Sequence, residues 1–210
     1  MKLKIIAYSD NICPFCYVGS KRIDKLKEEI DFDIEWKGFE IHTDTPKEGI
    51  KIKDYFKSFD AESAKKHLED FGKDVGIKLN NEKMSNSHLS LKANEFAKKE
   101  DKFDKWHNAV FKAYFEKGKD IGNEKVILDI AEKIGLDKNK LKKYLQSEEA
   151  DKILKKNLEE GKKFGVKGVP TFIIGNKMIV GAQPYDVIKK VVLEVKNGWI
   201  QSGIEKVRFA

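Results

Sequence analysis

The period of the hydrophobic positions changes twice along the chain. Near the N-terminus Leu3, Ile5, Ile6, Ala7 and Tyr8 make an apolar run of strand length. Ile23, Leu26 and Ile30 follow at i, i+3, i+7 spacing, which places them on one face of a helix. Phe32, Ile34 and Trp36 then alternate with Asp33, Glu35 and Lys37, as in a half-buried strand. Gly38-Phe39-Glu40-Ile41 continues that strand towards a polar exit at His42-Thr43-Asp44. The order β-α-β permits a parallel pair joined by a right-handed crossover.

From about Pro46 to about Glu159 the spacing becomes helical throughout. Ala64, Leu68, Phe71 and Val75 mark one helix, stopped by Gly76. A second begins after Asn86 or Ser87 and carries Phe96 and Ala97. Phe103, Trp106, Val110, Phe111 and Tyr114 define a third, ended by Gly118, and Val126, Ile127, Ile130 and Ile134 a fourth, ended by Gly135. Leu141, Tyr144 and Leu145 predict a short fifth, and Ile153, Leu154, Leu158 and Phe164 a sixth that runs out at Gly165. Most of these aromatics read as helical core. No repeat, low-complexity tract or Ser/Pro linker interrupts the segment.

Strand character then returns. Val169-Pro170-Thr171-Phe172-Ile173-Ile174 and Lys177-Met178-Ile179-Val180 flank Gly175-Asn176, which predicts an antiparallel hairpin with a type II′ turn. A final helix follows Gly181-Ala182-Gln183-Pro184, with Val187, Ile188, Val191, Val192 and Val195 facing inward and Gly198 at its end. The tail from Trp199 to Ala210 carries no pattern.

Composition narrows the function classes. The 210 residues include 42 Lys+Arg and 35 Asp+Glu, a net charge of +7. The lysines alternate with acids along helical faces, as in Lys25-Leu26-Lys27-Glu28-Glu29, which is the pattern of a solvated surface. A nucleic-acid surface would need a basic stripe with interleaved aromatics, and none is visible. No apolar run is long enough to span a membrane, and Met1-Lys2-Leu3-Lys4-Ile5-Ile6 leads straight into a strand without a signal-peptide core. A cytoplasmic location is therefore expected, where cysteine pairs tend to be transient and catalytic.

The chemistry concentrates between the first strand and the first helix. Cys13 and Cys16, the only cysteines in the chain, are separated by Pro14 and Phe15. A thiol at a helix N-terminus faces unpaired backbone N–H groups and the positive end of the helix dipole, which favour the thiolate. Cys16 would lie one turn further on, close enough to form a disulfide, and Pro14 suits the first helical turn. Cys13 is thus read as the attacking thiol and Cys16 as the resolving one. A structural zinc site needs four ligands, and His42, His67, His88 and His107 lack ligand spacing, so no metal is expected. Two inert core cysteines are the other alternative. The intervening proline and the strand-to-helix setting favour redox chemistry.

Ser9-Asp10-Asn11-Ile12-Cys13-Pro14-Phe15-Cys16-Tyr17-Val18-Gly19 resembles the active-site segment of the DsbA-type thiol–disulfide oxidoreductase superfamily, within it the cytoplasmic FrnE-like branch. The resemblance extends through Trp106 to Asp137, including Ala113-Tyr114-Phe115-Glu116-Lys117-Gly118-Lys119-Asp120-Ile121. It continues at Gly165-Val166-Lys167-Gly168-Val169-Pro170-Thr171-Phe172 and Val180-Gly181-Ala182-Gln183-Pro184. It implies an α/β, thioredoxin-like fold with an inserted all-helical domain. Residues 1–45 and 160–210 would form the discontinuous thioredoxin-like part, and residues 46–159 the insertion. It also implies that the Val169-Pro170 bond is cis and faces the cysteines, so that the Val169 backbone meets substrate, while Pro14 and Phe15 support the active-site loop. Two features depart from relatives. Ser90-Leu91-Lys92-Ala93 stands where many carry Ala-His-Arg-Leu, so that histidine's role does not transfer. Pro14-Phe15 replaces the Pro-His of strongly oxidising periplasmic members, which removes a donor to the thiolate and implies a less oxidising pair.

The expected function is thiol–disulfide exchange on protein or peptide thiols and disulfides, or on small thiols such as glutathione. No cofactor beyond the Cys13–Cys16 disulfide is expected, and the oligomeric state is open. A glutathione-dependent isomerase of the kappa-transferase or 2-hydroxychromene-2-carboxylate type is an alternative, although those enzymes generally carry Ser in place of Cys13 and lack the second cysteine. A holdase-like peptide binder is a third reading, which would keep client binding after both cysteines are changed to Ala.

Overall fold

The first apolar run forms β1 (Leu3–Ser9), the helical stripe forms α1 (Pro14–Glu29), and the alternating segment forms β2 (Phe32–Gly38). The structure is a computed structural model and describes residues 2–56, 60–198 and 205–207. Beyond β2 come β3 (Ile50–Lys51), α2 (Ile52–Tyr55) and α3 (Ala61–Phe71), then a 3-10 turn at Lys73–Val75 and β4 (Lys83–Met84). The helices α4 (His88–Lys99), α5 (Phe103–Phe111), α6 (Glu124–Lys133), α7 (Lys138–Leu145) and α8 (Glu148–Lys163) complete the middle of the chain. Last come β5 (Thr171–Ile174), β6 (Lys177–Val180), α9 (Tyr185–Lys196) and β7 (Glu205–Val207).

Several boundaries follow from local chemistry. The side chains of Asp60, Asn123 and Asp137 each accept two backbone N–H bonds and so start α3, α6 and α7. The helix expected to run to Gly76 instead ends at Phe71. A Cβ on Gly72 would lie 2.5 Å from Ile77 Cγ1, so the chain folds back at that glycine with Ile77 packed upon it. The third expected helix is α5 extended by a π turn over Lys112–Glu116. That turn lets Phe111 and Phe115 both stack on Tyr17, at 5.2 and 5.3 Å between ring centroids.

Among the described residues the main sheet is five-stranded and mixed, in the order β2-β1-β5-β6-β7. β1 pairs parallel with β2 from Leu3↔Phe32 to Ser9↔Gly38 and antiparallel with β5 from Ile5↔Ile174 to Tyr8↔Thr171. Two-residue periodicity then divides the core. Ile5, Ala7, Phe172, Ile174 and Ile179 face α1 and α9 through Ile23, Leu26, Ile188, Val191 and Val192. Tyr8, Ile173 and Met178 pack on the other face with Phe39, Val166 and Leu158. Val187, expected to face inward on α9, is only half-buried.

The middle of the chain is not wholly helical. β3 and β4 form a two-residue antiparallel ladder, Ile50↔Met84 and Lys51↔Lys83. Two residues are too few to display strand alternation, so the ladder left no pattern in the sequence. β7, in the patternless tail, pairs parallel with β6. The hairpin β5–β6 turns at Gly175-Asn176, with Gly175 at φ 58° as a II′ turn requires.

Candidate active site

The register of β1 decides what meets at its C-terminal end. Because Tyr8 stands opposite Thr171, the loop Asp10–Cys13 emerges beside Val169 and Pro170. Cys13 is the N-cap of α1 and Pro14 occupies its first turn. Both cysteines carry free thiols here. Both are buried, Cys16 fully and Cys13 at 5% exposure, so Cys13 is the less enclosed of the two. The Cys13 thiol donates to the Val169 carbonyl oxygen at 3.6 Å. Burial pushes the Cys16 thiol well above its ordinary range, and the adjacent Cys13 thiol adds to that.

The Val169-Pro170 peptide bond is cis. Gly181 N–H donates to the Pro170 carbonyl at 2.8 Å, and the Thr171 hydroxyl donates to Gly168 O at 2.7 Å, so the loop is held from both sides. Gly19 allows α1 to pass close by. A Cβ there would lie 3.2 Å from both Pro170 Cγ and Phe172 Cζ. The structure therefore brings Cys13, Cys16, Val169 and Pro170 into one site. Phe15 points outward, 39% exposed, with its ring edge-on to Phe71 at 5.5 Å.

Three buried polar groups in the cysteine loop, on α1 and behind the loop are not marked by sequence spacing alone. Asp10 is fully buried. Its Oδ1 accepts from Ile12 N–H at 3.3 Å and its Oδ2 from Ile41 N–H at 2.9 Å, tying the cysteine loop to the segment after β2. Burial pushes its carboxyl up to about 6, against the pull of the Ile41 N–H. The Asp10 N–H itself donates to Cys16 Sγ at 3.5 Å. A carboxylate at the end of an apolar strand, three residues before a cysteine, was the available signal.

Arg22 is the second. Buried at 4% exposure, it donates through Nε and Nη2 to Asp74 at 2.8 and 2.6 Å. Nη1 reaches Ala182 O at 2.6 Å and Gln183 O at 3.0 Å, and Nη2 also reaches Phe71 O at 2.8 Å. The guanidinium lies 4.8 Å from the Phe71 ring centroid, and its bonds hold the Asp74 carboxyl below the usual range. One side chain thus joins α1, the end of α3 and the loop before α9. Its position between Val18 and Leu26 at i+4 spacing put it on the buried face of α1.

The third is an amide network behind the loop. Asn11 Nδ2 donates to Ser90 Oγ at 3.0 Å and to Asn94 Oδ1 at 3.1 Å, while Asn94 Nδ2 donates back to Asn11 Oδ1 at 3.3 Å. Trp106 Nε1 donates to Asn94 Oδ1 at 2.7 Å. All four residues are buried. Cys13 and Cys16 themselves pack in the same apolar cluster as Trp106, Phe111 and Tyr114 of the helical segment.

Comparison with known proteins points in one direction for the fold. The model of the DSBA-like thioredoxin domain matches residues 4–192. A probable DsbA oxidoreductase from Streptomyces coelicolor superposes with a TM-score of 0.84 at 16% identity, covering 98% of this chain and 94% of the other. A 2-hydroxychromene-2-carboxylate isomerase gives 0.77 at 20% identity, covering 95% and 100%. The cytosolic disulfide reductase DsbM from Pseudomonas aeruginosa gives 0.70 at 14% identity, covering 93% and 100%. At these identities the superpositions establish a shared fold.

Proposed function

The chain belongs to the DSBA-like thioredoxin domain family, and on that premise we propose that Cys13 and Cys16 form a redox pair for thiol–disulfide exchange. The Cys13 thiolate attacks one sulfur of a substrate disulfide, forming a mixed disulfide and expelling the other sulfur as a thiolate that takes up a proton. Cys16 then loses its proton and attacks Cys13 Sγ. The Cys13–Cys16 disulfide forms and the substrate leaves as a second thiolate. The same steps in reverse oxidise a substrate dithiol.

One observation carries this reading. Two thiols lie one helical turn apart, the second fully enclosed and the first, the less enclosed, bonded to the Val169 backbone. An extended peptide bound at Val169 would set its own cysteine against Cys13 by strand-like pairing. Protein or peptide disulfides, and small thiols such as glutathione, are the substrates of this reading. This reading has the exchange occur in the cytoplasm, the compartment named for one structural neighbour, although another is described as periplasmic. No helix among the described residues is long and apolar enough to cross a membrane. The division into residues 1–45 with 160–210 and an inserted 46–159 belongs to the same reading, as does membership of the FrnE-like branch.

A glutathione-dependent isomerase is the second reading, favoured by the likeness to the chromene-carboxylate enzyme. The presence of a resolving thiol directly behind Cys13 argues for exchange. The test is reduction of insulin by dithiothreitol with the protein as catalyst, beside 2-hydroxychromene-2-carboxylate turnover with glutathione. Insulin turnover that falls to background in both Cys13→Ala and Cys16→Ala supports the redox pair. Insulin turnover that survives in Cys13→Ala, or isomerisation that needs only Cys13, contradicts it.

A further inference from the structure

The loop that carries the thiols is held partly by the Asp10 carboxylate, on Ile12 and Ile41 N–H, and partly from the helical segment. Asp10 and Asn11 follow the last residue of β1, and α1 begins only at Pro14. Within this stretch the main chain of Asp10 bonds to both cysteines, to the sulfur of Cys16 and to the backbone of Cys13. Its N–H donates to Cys16 Sγ at 3.5 Å, and its carbonyl accepts from Cys13 N–H at 3.2 Å. Any displacement of residues 10 and 11 therefore moves the frame of both cysteines.

The next side chain, Asn11, does not bond within the loop. It crosses to α4, 83 positions away in sequence, and makes a reciprocal amide pair with Asn94 plus a bond to Ser90 Oγ. Asn94 is in turn fixed by Trp106 Nε1 from α5, and the Ser90 hydroxyl is committed to Ser87 O at 2.8 Å. Every member is buried, so a released amide would have no water to replace its partner. Such a network has one low-energy arrangement, and it sets the position of Asn11.

We propose that Asn94, with Ser90 and Trp106, is a positioning residue for the Cys13–Cys16 pair, holding Asn11 so that the Asp10 N–H stays on the Cys16 sulfur. The helical segment thereby becomes part of the redox centre, although its side chains supply none of the reacting atoms. This rests on the redox reading above. The N–H bond favours the reduced pair, because it opposes the upward push of burial on the Cys16 thiol and strengthens as that sulfur gains thiolate character, which a disulfide sulfur never does. Losing it shifts the exchange of reduced protein with oxidised glutathione, which yields the protein disulfide and two molecules of glutathione, towards the disulfide.

The experiment equilibrates wild type, Asn94→Ala, Ser90→Ala, Asn11→Ala and the Asn11→Ala/Asn94→Ala double variant with graded glutathione buffers, and counts free thiols after acid quenching. Ser90→Ala removes only one bond to Asn11 and keeps the test available if Asn94→Ala does not fold. The expected result is a shift of at least threefold towards the disulfide in Asn94→Ala and a smaller shift of the same sign in Ser90→Ala. The double variant should match Asn11→Ala, because both act through one side chain. A smaller shift, a shift towards the dithiol, or additive effects would overturn the proposal, whatever happens to thermal stability. If the wild-type pair exchanges no electrons with glutathione, the redox reading itself fails. The anchoring is then decided by iodoacetamide labelling of Cys16, which must be faster in Asn94→Ala than in wild type and must not be unchanged.

Discussion

The Cys13 thiol donates to the carbonyl oxygen of Val169 across 3.6 Å, although the two residues are 156 positions apart. The pairing of Tyr8 with Thr171 makes this meeting unavoidable, since both loops leave the sheet at the same end. A partner that reaches the Cys13 sulfur therefore also meets the Val169 main chain.

Exposure and burial predict the order in which the thiols react with a small electrophile. Cys16 is closed off and its thiol is pushed upward by burial. Limiting iodoacetamide at about pH 6, followed by peptide mass mapping, should label Cys13 before Cys16. Labelling of Cys16 first would reverse the assigned roles.

Arg22 holds three segments together from a buried position, and its removal should be costly. Arg22→Met leaves Asp74 and the carbonyls of Phe71, Ala182 and Gln183 without their donor. The expected loss is about 2–4 kcal/mol, discounted because the Asp74 side chain is 38% exposed. For a chain of this size that lowers Tm by roughly 5–15 °C. Arg22→Lys should recover little, because an ammonium cannot serve this many acceptors at once. A melting curve unchanged in either variant would contradict the hub.

Asp10 predicts a pH dependence of stability. Its carboxyl is raised to about 6 in the folded chain, chiefly by burial, so the folded state binds the proton more tightly than the unfolded state. Its contribution is thus most favourable at low pH and is lost as pH rises from about 4 to about 7. Urea unfolding of wild type and Asp10→Asn across that range should show the difference moving by about 2 kcal/mol in favour of the variant as pH rises. A constant difference would mean that Asp10 titrates alike in both states.

Strand and helix periods made most of the elements legible in advance, because Ile5 and Ala7, or Ile23 and Leu26, must repeat at the spacing of their element. The hairpin at Gly175 and the start of α1 at Pro14 were equally plain, since both rest on local backbone rules. The β3–β4 ladder was not, because two residues display no period. Arg22 and Asn94 were hidden for a different reason. Each acts through partners 49 to 161 positions away for Arg22 and 83 for Asn94, and polar partnership at such range has no signature in spacing. Cys13 and Cys16 stood out because their relation is local.

The roles assigned to the two thiols are tested most directly by trapping. On the proposed scheme, Cys16→Ala keeps the attacking sulfur and removes the one that releases the mixed disulfide. Incubated with a disulfide-containing protein substrate and run on non-reducing gels, it should accumulate covalent adducts that dithiothreitol dissolves, joined through Cys13 by mass mapping. Cys13→Ala should accumulate none. Equal adducts in both variants, or adducts joined through Cys16 in Cys13→Ala, would contradict the redox pair as described.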